Sequence, residues 1–408
     1  MKIKSKIQNL DLSATLKINE ISKKLENEGK SIIKFGFGQS PFQVPSSIVE
    51  ELKKNAHQKS YLSVQGYEDL REAIATYESK KKNINFTSDQ IMVGPGSKEL
   101  MFLLNICFDG DILLPVPSWV SYMPQSIIAD NKFHWIETNY ENNWFPNIND
   151  IKKITSNNKS KKYLLILNSP NNPSGQVCKN LEELSTFIKE EEIYVLSDEI
   201  YSELTFEGEY ISLLKFCPDQ VIISNGLSKW CGAGGWRLGY FVIPKKLKNL
   251  IKPMKVLASE TFSAVSSPIQ YAAMSAFLND HKSYIKKSKN ILSAIGNYVH
   301  QNLSSNNIIM NKPMGGFYLM PEFINKKFNS SSEMCTDLLN KEGVAILPGS
   351  DFGFTKNKMI ARLSYTDFNG ENFMKNINED TAIDDKMIKK LAPRVVEGVK
   401  KIKSWADN

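Results

Sequence analysis

Residues 163–175 read Tyr-Leu-Leu-Ile-Leu-Asn-Ser-Pro-Asn-Asn-Pro-Ser-Gly, a short apolar run that ends in polar residues, proline and glycine. A run of this length between turn residues is typical of a strand buried on both faces of a sheet. Similar runs, separated by helix-like segments, occur at residues 91–93, 112–116, 193–196, 221–223 and 240–243. This alternation predicts an α/β fold in which helices flank a mostly parallel sheet.

The pattern changes near residue 280, where a long lysine-rich helix is predicted over 282–303 and shorter strands and helices follow. We therefore expect a smaller α+β domain built from the N- and C-terminal segments. The expected divisions are an N-terminal arm with part of the small domain at 1–45, a large domain at 46–285 and a small C-terminal domain at 286–408. The sequence pattern of the arm predicts an amphipathic helix, with Ser13 as its N-terminal cap and Gly29 as its end.

The chain has 408 residues, of which 41% are apolar and 23% charged, as is ordinary for a globular protein. This composition argues against a disordered, fibrous or coiled-coil protein. No segment reaches 18 uninterrupted apolar residues, so we expect neither a secretory signal nor a membrane anchor. The net charge of +7 is spread over scattered lysines, which indicates a solvated surface and no nucleic-acid partner.

The cysteines and histidines predict neither a disulfide framework nor a metal site. The five cysteines are scattered and form no C-x-x-C pair, and the four histidines lie far apart in the sequence. Disulfide-rich and zinc-binding proteins show closer and more regular spacings. We therefore expect a cytoplasmic protein that works in a reducing compartment without a bound metal.

Arginine is rare in this chain, with four arginines against 47 lysines. An arginine is therefore a candidate for a site that needs a planar, two-pronged donor with a permanent charge. Arg362 alternates with apolar residues in a strand-like run, and an inward-facing arginine there needs an anion. That anion is either a substrate carboxylate or the carboxylate of a structural salt bridge.

Polar residues follow three successive strands and include an amide, a carboxylate and an amine: Asn172, Asp198 and Lys229. Ligands of open α/β sheets bind beyond the carboxyl ends of the strands, so we expect these groups to share one crevice. Lys229 is followed by small residues that leave room for a flat cofactor, and a cationic neighbour such as Arg237 would lower the pKa of its amine. A surface lysine in a glycine-rich loop is the alternative.

Asp198 ends a buried strand, where a carboxylate needs a partner such as a protonated pyridine nitrogen. Tyr201 projects to the same side if a helical turn follows. A capping aspartate and a core tyrosine are the alternatives for these two residues. Trp119 lies beyond another strand end, where its face is suited to stacking on an aromatic ring, although most tryptophans belong to the core.

The segment Gly94-Pro95-Gly96-Ser97-Lys98-Glu99 lies between a strand and an apolar helix. The backbone N–H groups of such a helix start, with the Ser97 hydroxyl, suit a phosphate group. Glu99 stands where a dinucleotide fingerprint has its third glycine, and no G-x-x-x-x-G-K-[ST] occurs, so nucleotide cofactors are disfavoured. An ordinary helix start remains the alternative.

Together these motifs resemble the class I/II aminotransferases, which are pyridoxal 5'-phosphate enzymes of fold type I, and specifically the aspartate and aromatic aminotransferases. The resemblance covers nearly the whole chain. It rests on five motifs in the family's order: Gly36-Phe37-Gly38, N-x-P-x-N-P-x-G at 168–175, S-D-E-x-Y at 197–201, S-K-x-x-x-x-x-G-W-R-L-G-Y at 228–240, and Ala361-Arg362-Leu363-Ser364-Tyr365.

The resemblance implies pyridoxal 5'-phosphate as the cofactor. Lys229 would hold it covalently and later move the proton of the substrate's α-carbon, while Asp198 would keep its pyridine nitrogen protonated. Tyr201 and Asn172 would bond its phenolic oxygen. The expected phosphate ligands are Gly96, Ser97, Lys98, Ser228 and Arg237.

Further roles follow from the same resemblance. Trp119 would stack on the cofactor ring. The substrate α-carboxylate would be bound by Arg362, Asn172 and the Gly38 backbone. Tyr61 matches a family tyrosine that reaches the phosphate of the neighbouring subunit's cofactor, so a homodimer with shared active sites is expected.

The resemblance has two departures. Residues 38–42 read Gly-Gln-Ser-Pro-Phe where the family usually has G-x-P-D-F, so substrate choice does not carry over from that loop. The segment 367–385, after Arg362, is longer than usual. For the substrate side chain two alternatives stay open: either a lysine binds a second carboxylate, or the pocket is apolar, with Phe37 and Phe42 as its walls.

The leading hypothesis is amino-group transfer between an L-amino acid and a 2-oxo acid, in two half-reactions of a ping-pong mechanism. The expected donors are aromatic or other apolar amino acids as well as dicarboxylic ones. One alternative is a pyridoxal-phosphate-dependent C–S β-lyase, because elimination shares the first proton removal. The other alternative is a catalytically silent binding or regulatory module.

Overall fold

The computed structural model describes residues 1, 3–8, 10–156, 158 and 160–408. Its strands are β1 (Ile33–Lys34), β2 (Ile91–Gly94), β3 (Asp111–Pro115), β4 (Phe133–Ile136), β5 (Tyr163–Asn168), β6 (Tyr194–Asp198), β7 (Val221–Gly226), β8 (Gly239–Val242), β9 (Ile308–Ile309), β10 (Tyr318–Leu319), β11 (Glu322–Phe323), β12 (Val344–Ala345), β13 (Leu347–Pro348) and β14 (Ala361–Ser364).

Helices lie between most of these strands. They are α1 (Ser5–Gln8), α2 (Ala14–Asn27), α3 (Ser46–Asn55), α4 (Glu68–Lys82), α5 (Ser97–Cys107), α6 (Tyr122–Ile128), α7 (Ile148–Thr155), α8 (Leu181–Glu190), α9 (Ile251–Thr261), α10 (Ser267–Leu278), α11 (Lys282–Leu303), α12 (Ser331–Glu342), α13 (Gly370–Lys375), α14 (Asp385–Leu391) and α15 (Pro393–Asp407). Short 3₁₀ turns connect several of them.

The centre of the molecule is a seven-stranded sheet in the order β2-β8-β7-β6-β5-β3-β4. β8 runs antiparallel to its neighbours β2 and β7, and the other pairs are parallel. In this register Asp198 pairs with Asn168 of β5 and with Ser224 of β7. The carboxyl ends of three neighbouring strands therefore meet at one edge, as the sequence pattern predicted.

The strand β5 explains why the apolar runs form a sheet covered on both faces. All six of its residues are buried. Leu165 and Leu167 enter one apolar core, while Leu164 and Ile166 enter another on the opposite face. Because side chains alternate along a strand, a continuous apolar run is what a sheet between two helical layers requires. The predicted α/β fold is confirmed.

The edge strand β4 was not predicted from the sequence. Its segment reads Phe-His-Trp-Ile, and three of its four residues are only half-buried. An edge strand pairs on one side alone, so it needs no long apolar run. The pairing with β3, which aligns Phe133 with Ile112, assigns this segment to the sheet.

The N- and C-terminal parts of the chain join in a smaller α+β unit. β1 pairs in parallel with β12, and β14 lies between β10 and β13 in a three-stranded antiparallel sheet. The predicted lysine-rich helix is α11, whose inner face is buried at residues such as Ile291 and Ile295. The expected smaller unit of N- and C-terminal segments is confirmed.

The predicted N-terminal helix is α2, with a difference at its start. Ser13 stands at the cap position, but its side chain makes no capping hydrogen bond. Gly29 follows the helix with φ +84°, a conformation that glycine adopts without strain. Ser13 therefore marks the helix start by position and leaves its hydroxyl for other contacts.

The long segment 367–385 packs against the loop that follows Gly38. Gly370 begins α13 so close to this loop that a Cβ on it would lie 2.3 Å from the Pro41 carbonyl oxygen. The ring of Phe368 contacts Phe42 edge to face, with centroids 6.1 Å apart. The segment thus supports this loop.

Among the described residues, no helix combines the length and apolarity needed to cross a membrane.

Candidate active site

A cavity of about 500 Å³ opens at the carboxyl ends of β5, β6 and β7. It is lined by twelve of the thirteen residues expected at the site: Gly38, Gly96, Ser97, Lys98, Trp119, Asn172, Asp198, Tyr201, Ser228, Lys229, Arg237 and Arg362. These residues come from both the central sheet and the smaller unit. The cavity therefore depends on how the two parts pack together.

Lys229 lies in the turn after β7, with its amine inside the cavity. Its Nζ donates a hydrogen bond to the Gly38 carbonyl oxygen at 3.0 Å. Burial, and to a smaller extent the Arg362 guanidinium, lowers the pKa of the amine to about 8. Arg237 also contributes, but less than Arg362 does. A substantial fraction of the amine is therefore neutral, and nucleophilic, near physiological pH.

Asp198 is the last residue of β6 and is buried. Burial raises the pKa of its carboxyl group to about 6, and a hydrogen bond from Tyr122 opposes this rise. The Tyr122 hydroxyl donates to Asp198 Oδ2 at 2.7 Å, and the backbone N–H of Ile200 lies 3.4 Å from Oδ1. A buried carboxylate held this way is suited to pair with a cationic ring nitrogen in the cavity.

A chain of amide contacts links Asp198 to Arg362. Asn168 donates from its side chain to the Asp198 carbonyl at 2.8 Å and accepts from the Asn172 backbone N–H at 2.7 Å. Arg362 Nη1 then donates to Asn172 Oδ1 at 3.1 Å. The polar run after β5 therefore fixes the relative positions of the carboxylate and the guanidinium.

Arg362 lies on β14 and is only 1% exposed. Its Nη2 donates to the Gly36 carbonyl, and its guanidinium lies over the rings of Tyr318 and Phe352 at 4.8 and 5.2 Å. Its Nε is buried and has no hydrogen-bond partner among the described residues. These hydrogen bonds go to neutral oxygens, so Arg362 forms no structural salt bridge through them. The geometry is better suited to an arginine that binds a substrate carboxylate.

A second basic group of the cavity, the Arg237 guanidinium, lies where α5 begins. Gly96 has φ +87°, and a Cβ on it would lie 2.4 Å from Arg237 Nη2. Arg237 donates to the carbonyls of Gly234 and Pro95 at 3.0 and 3.3 Å. Ser97 and Ser228 line the same cavity. A guanidinium, hydroxyls and a helix N-terminus have together the chemistry that suits a phosphate group.

Trp119 and Lys98 lie together in the cavity wall. Lys98 Nζ is 4.9 Å from the centroid of the Trp119 ring. Burial lowers the pKa of the Lys98 amine, and the nearby Arg237 guanidinium adds to this effect. Trp119 also contacts Tyr122 edge to face, with centroids 5.4 Å apart. This contact fixes the orientation of the indole.

Three aromatic residues were expected near a ligand: Tyr61 at the cofactor of the neighbouring subunit, and Phe37 and Phe42 in the substrate pocket. Tyr61 is 89% exposed and does not line the cavity. Phe37 lines the cavity, whereas Phe42 is buried against Phe368. Phe42 is therefore part of the supporting loop, and the expectation that it forms a pocket wall was wrong.

Sequence reasoning missed several residues that the fold brings into the cavity. Ser13, Thr15 and Leu16 of the N-terminal arm line it, and so does Tyr318 of β10. The Thr15 hydroxyl is buried without a hydrogen-bond partner among the described residues. Tyr122, which contacts Asp198, was missed as well. No local motif marks these residues, because their roles arise from contacts between distant segments.

The residues fit pyridoxal 5'-phosphate. Arg237, whose guanidinium lies against Gly96 at the start of α5, suits the phosphate. Asp198 suits the pyridine nitrogen, and the face of the Trp119 indole suits the cofactor ring. The Lys229 amine in the same cavity has the lowered pKa that attack on an aldehyde needs.

Comparison with known proteins gives the same answer. The family described as aminotransferase class I and II matches residues 30–376. The aspartate aminotransferase of Sulfolobus acidocaldarius is 32% identical over 369 residues, which cover 86% of this chain and 90% of that protein. The solved structures of aspartate aminotransferase from Thermotoga maritima, 26% identical, and alanine aminotransferase from Pyrococcus furiosus, 27% identical, superpose with TM-scores of 0.84 and 0.85 and full coverage of both chains.

The match extends over most of the chain and agrees with the fold and the cavity described above. It also agrees with the five motifs read from the sequence. The chain belongs to the class I and II aminotransferases, the pyridoxal-phosphate-dependent enzymes of fold type I, and it is an aminotransferase.

Proposed function

We propose that this aminotransferase takes its amino group chiefly from a dicarboxylic L-amino acid such as aspartate and passes it to a 2-oxo acid in two half-reactions. The observation that carries this proposal is a second set of polar groups in the cavity, besides Arg362. The Thr15 hydroxyl is buried and unpartnered among the described residues, and it lines the same cavity as Ser13 and the Lys98 amine.

This set suits a side-chain carboxylate. A buried hydroxyl without a partner is costly, and a ligand oxygen would remove that cost. Lys98 supplies positive charge, and its amine lies over the Trp119 face. The Sulfolobus acidocaldarius relative is named aspartate aminotransferase, which supports the same donor class.

We also propose activity with apolar donors, at lower efficiency. Leu16 and Phe37 line the cavity beside the polar groups, so an uncharged side chain would find apolar contacts there. The Pyrococcus furiosus structure is named alanine aminotransferase, and alanine carries a small apolar side chain.

The site residues take the following roles in this proposal. Arg362 and Asn172, with the Gly38 backbone, hold the α-carboxylate in the cavity that also contains the Lys229 amine. Lys229 Nζ would take the proton from the substrate α-carbon and deliver it to the aldehyde-derived carbon of the cofactor. Pyridoxal phosphate, when bound, supplies a ring that accepts the electron pair left by the α-proton.

The remaining residues hold the cofactor. Asp198, fixed by Tyr122, keeps a proton on the pyridine nitrogen, and Tyr201 with Asn172 bonds the phenolic oxygen. Trp119 covers the ring face. The phosphate is bound by Gly96, Ser97, Ser228, Arg237 and the backbone of Lys98.

We further propose a homodimer in which Tyr61 reaches the phosphate site of the neighbouring subunit. An aromatic side chain that is 89% exposed suits a contact with a second copy. We also propose domain divisions near residues 45 and 285. The proposed location is the cytoplasm. All five cysteines are free, which agrees with a reducing compartment.

A donor panel tests the substrate class. Aspartate should bleach the visible absorbance of the cofactor-loaded enzyme fastest, and an apolar donor such as phenylalanine should do so more slowly. Thr15→Val should lower kcat/KM for aspartate about tenfold, the effect of losing a hydrogen bond to a charged group, and leave the value for phenylalanine within about twofold.

Three results would contradict the proposal. Activity with aspartate alone would refute the breadth, and equal losses for both donors in Thr15→Val would refute the side-chain site. Pyruvate and ammonia released from cysteine conjugates without an oxo-acid acceptor would identify a C–S β-lyase instead.

A further inference from the structure

Tyr318 lies at the junction of three active-site residues and has no role in the proposal above. It sits on β10, which pairs with the strand that carries Arg362, through the partners Tyr318 and Ser364. It is 1% exposed and lines the cavity. Its position is therefore fixed by the same small sheet that fixes Arg362.

The Tyr318 hydroxyl contacts Tyr201. The two hydroxyl oxygens are 3.0 Å apart, and the two rings meet edge to face with centroids 5.7 Å apart. A phenol has one proton to donate and can accept in return. If Tyr201 donates its proton to the phenolic oxygen of the cofactor, Tyr318 must be the donor in the contact between the two tyrosines.

The Arg362 guanidinium strengthens Tyr318 as a donor. Its central carbon lies 4.8 Å from the centre of the Tyr318 ring. A cation over a phenol ring stabilises the phenolate and so lowers the pKa of the hydroxyl, which opposes the effect of burial on Tyr318. Hydrogen bonds in series polarise one another, so a stronger donor at Tyr318 makes Tyr201 a stronger donor as well.

The backbone at Gly38 is shaped to admit this hydroxyl. A Cβ at Gly38 would lie 2.0 Å from the Tyr318 hydroxyl oxygen. The same residue accepts the hydrogen bond from Lys229 through its carbonyl. The loop thus brings Lys229, Tyr318 and Arg362 together without a side chain between them.

We propose that Tyr318 is a positioning residue of the active site, whose hydroxyl orients and polarises the Tyr201 hydroxyl toward the phenolic oxygen of the cofactor. The proposal rests on the role of Tyr201 proposed above. Other groups also face this pair of tyrosines: Arg362 from β14, Asp198 from the end of β6, Lys229 from the turn after β7 and Tyr122 from α6. They are unchanged in the variants below, so differences between variants report on the tyrosines.

The test is a pH titration of the visible absorbance of the cofactor-loaded enzyme, without any amino acid. Donation to the phenolic oxygen stabilises its negative charge and favours the deprotonated form of the bound cofactor. Tyr318→Phe should therefore raise the midpoint, by about half a pH unit, as expected for weakening one neutral hydrogen bond. Because no substrate is used, the outcome does not depend on the proposed donor class.

Two comparisons isolate the mechanism. Tyr365→Phe removes another fully buried hydroxyl, which has no hydrogen-bond partner among the described residues, and should leave the midpoint unchanged. Tyr201→Phe should raise the midpoint by itself, and adding Tyr318→Phe to it should cause no further rise.

Three results would overturn the proposal. The midpoint of Tyr318→Phe could equal that of the wild type, or the shift could persist undiminished in the Tyr201→Phe background. A midpoint unaffected by Tyr201→Phe alone would refute both the proposed role of Tyr201 and the role of Tyr318.

Discussion

Lys229 and Asp198 share a cavity in which burial moves both pKa values toward neutrality from opposite sides. The amine falls to a pKa of about 8 and the carboxyl group rises to about 6. Burial disfavours a charge of either sign. The lysine amine is therefore more often neutral and a better nucleophile, and the charged aspartate is stabilised by a cationic partner. The cavity thus prepares both residues for a ligand with an aldehyde and a basic ring nitrogen.

The pKa of Lys229 predicts how attachment of the cofactor depends on pH. Only the neutral amine attacks the aldehyde, and its fraction grows as the pH rises toward about 8. The rate of attachment to the cofactor-free protein should therefore rise about tenfold per pH unit below that value and level off above it. Stopped-flow absorbance measures this rate. A rate that keeps rising to pH 10 would contradict the lowered pKa.

Arg362 predicts a kinetic effect that separates charge from geometry. Arg362→Lys keeps a positive charge but loses the two-pronged donor, so the KM of the amino donor should rise about tenfold or more. The value of kcat should fall less, because the α-carboxylate is bound in both ground and transition states. Steady-state kinetics check this, and an unchanged KM would assign Arg362 a structural role.

The residues that sequence reasoning identified share one property. Asp198, Lys229 and Arg362 each lie in a local pattern, at or just beyond a strand, that indicates where the side chain points. Thr15 and Tyr122 lie in ordinary helical surroundings, and only the packing of distant segments brings them to the cavity. Contacts between distant segments do not affect the spacing of residues within a local sequence motif, so the sequence does not predict them.

At the scale of elements, the strand ends carry most of the site. Strands β5, β6 and β7 were predictable because their buried runs are continuous, and continuous runs demand cover on both faces. The reversed direction of β8 was not predictable, since an apolar run is the same in either direction. The edge strand β4 was missed because a one-sided strand needs little apolar character.

The loop after Lys229 is held against the loop after Gly38 by a glycine. Gly232 has φ +70°, and a Cβ on it would lie 2.5 Å from the Phe42 carbonyl oxygen. Gly234, in the same loop, would bring a Cβ no closer than 3.5 Å to its neighbours. One position is thus strained by any side chain, and the other tolerates a methyl group.

We expect Gly232→Ala to destabilise the protein by about 1–3 kcal/mol, the usual cost of a strained backbone position. Gly234→Ala should change the stability by less than about 0.5 kcal/mol. Thermal unfolding followed by circular dichroism measures both. Equal melting temperatures for the two variants would show that the contact with Phe42 does not restrain the loop.

At the scale of the whole molecule, segments far apart in sequence complete one cavity. The N-terminal arm contributes Thr15, the central sheet contributes Lys229, and the C-terminal segment contributes Arg362. The pairing of β1 with β12 joins the two ends of the chain, and α13 supports the loop after Gly38. Only the general arrangement of these parts was predictable, because the sequence pattern fixes elements and not their packing.

The proposed dimer predicts complementation between two defective subunits. Lys229→Ala should be inactive, and Tyr61→Ala should bind the cofactor weakly because the neighbouring phosphate loses a contact. A heterodimer of the two variants contains one complete site, so it should recover about half of the wild-type activity per dimer. Tandem affinity tags isolate this species. Recovery no greater than that of the mixed homodimers, or a monomeric mass of 46.2 kDa in solution, would contradict shared sites.

The central claim is that the Lys229 amine forms the covalent bond to pyridoxal phosphate, and chemical trapping tests it most directly. Borohydride reduction of the cofactor-loaded enzyme should leave a stable adduct on Lys229. Since trypsin does not cleave after a modified lysine, mass spectrometry should find the adduct on a peptide spanning residues 216–237. An adduct on a different residue, or no adduct at all, would contradict the account.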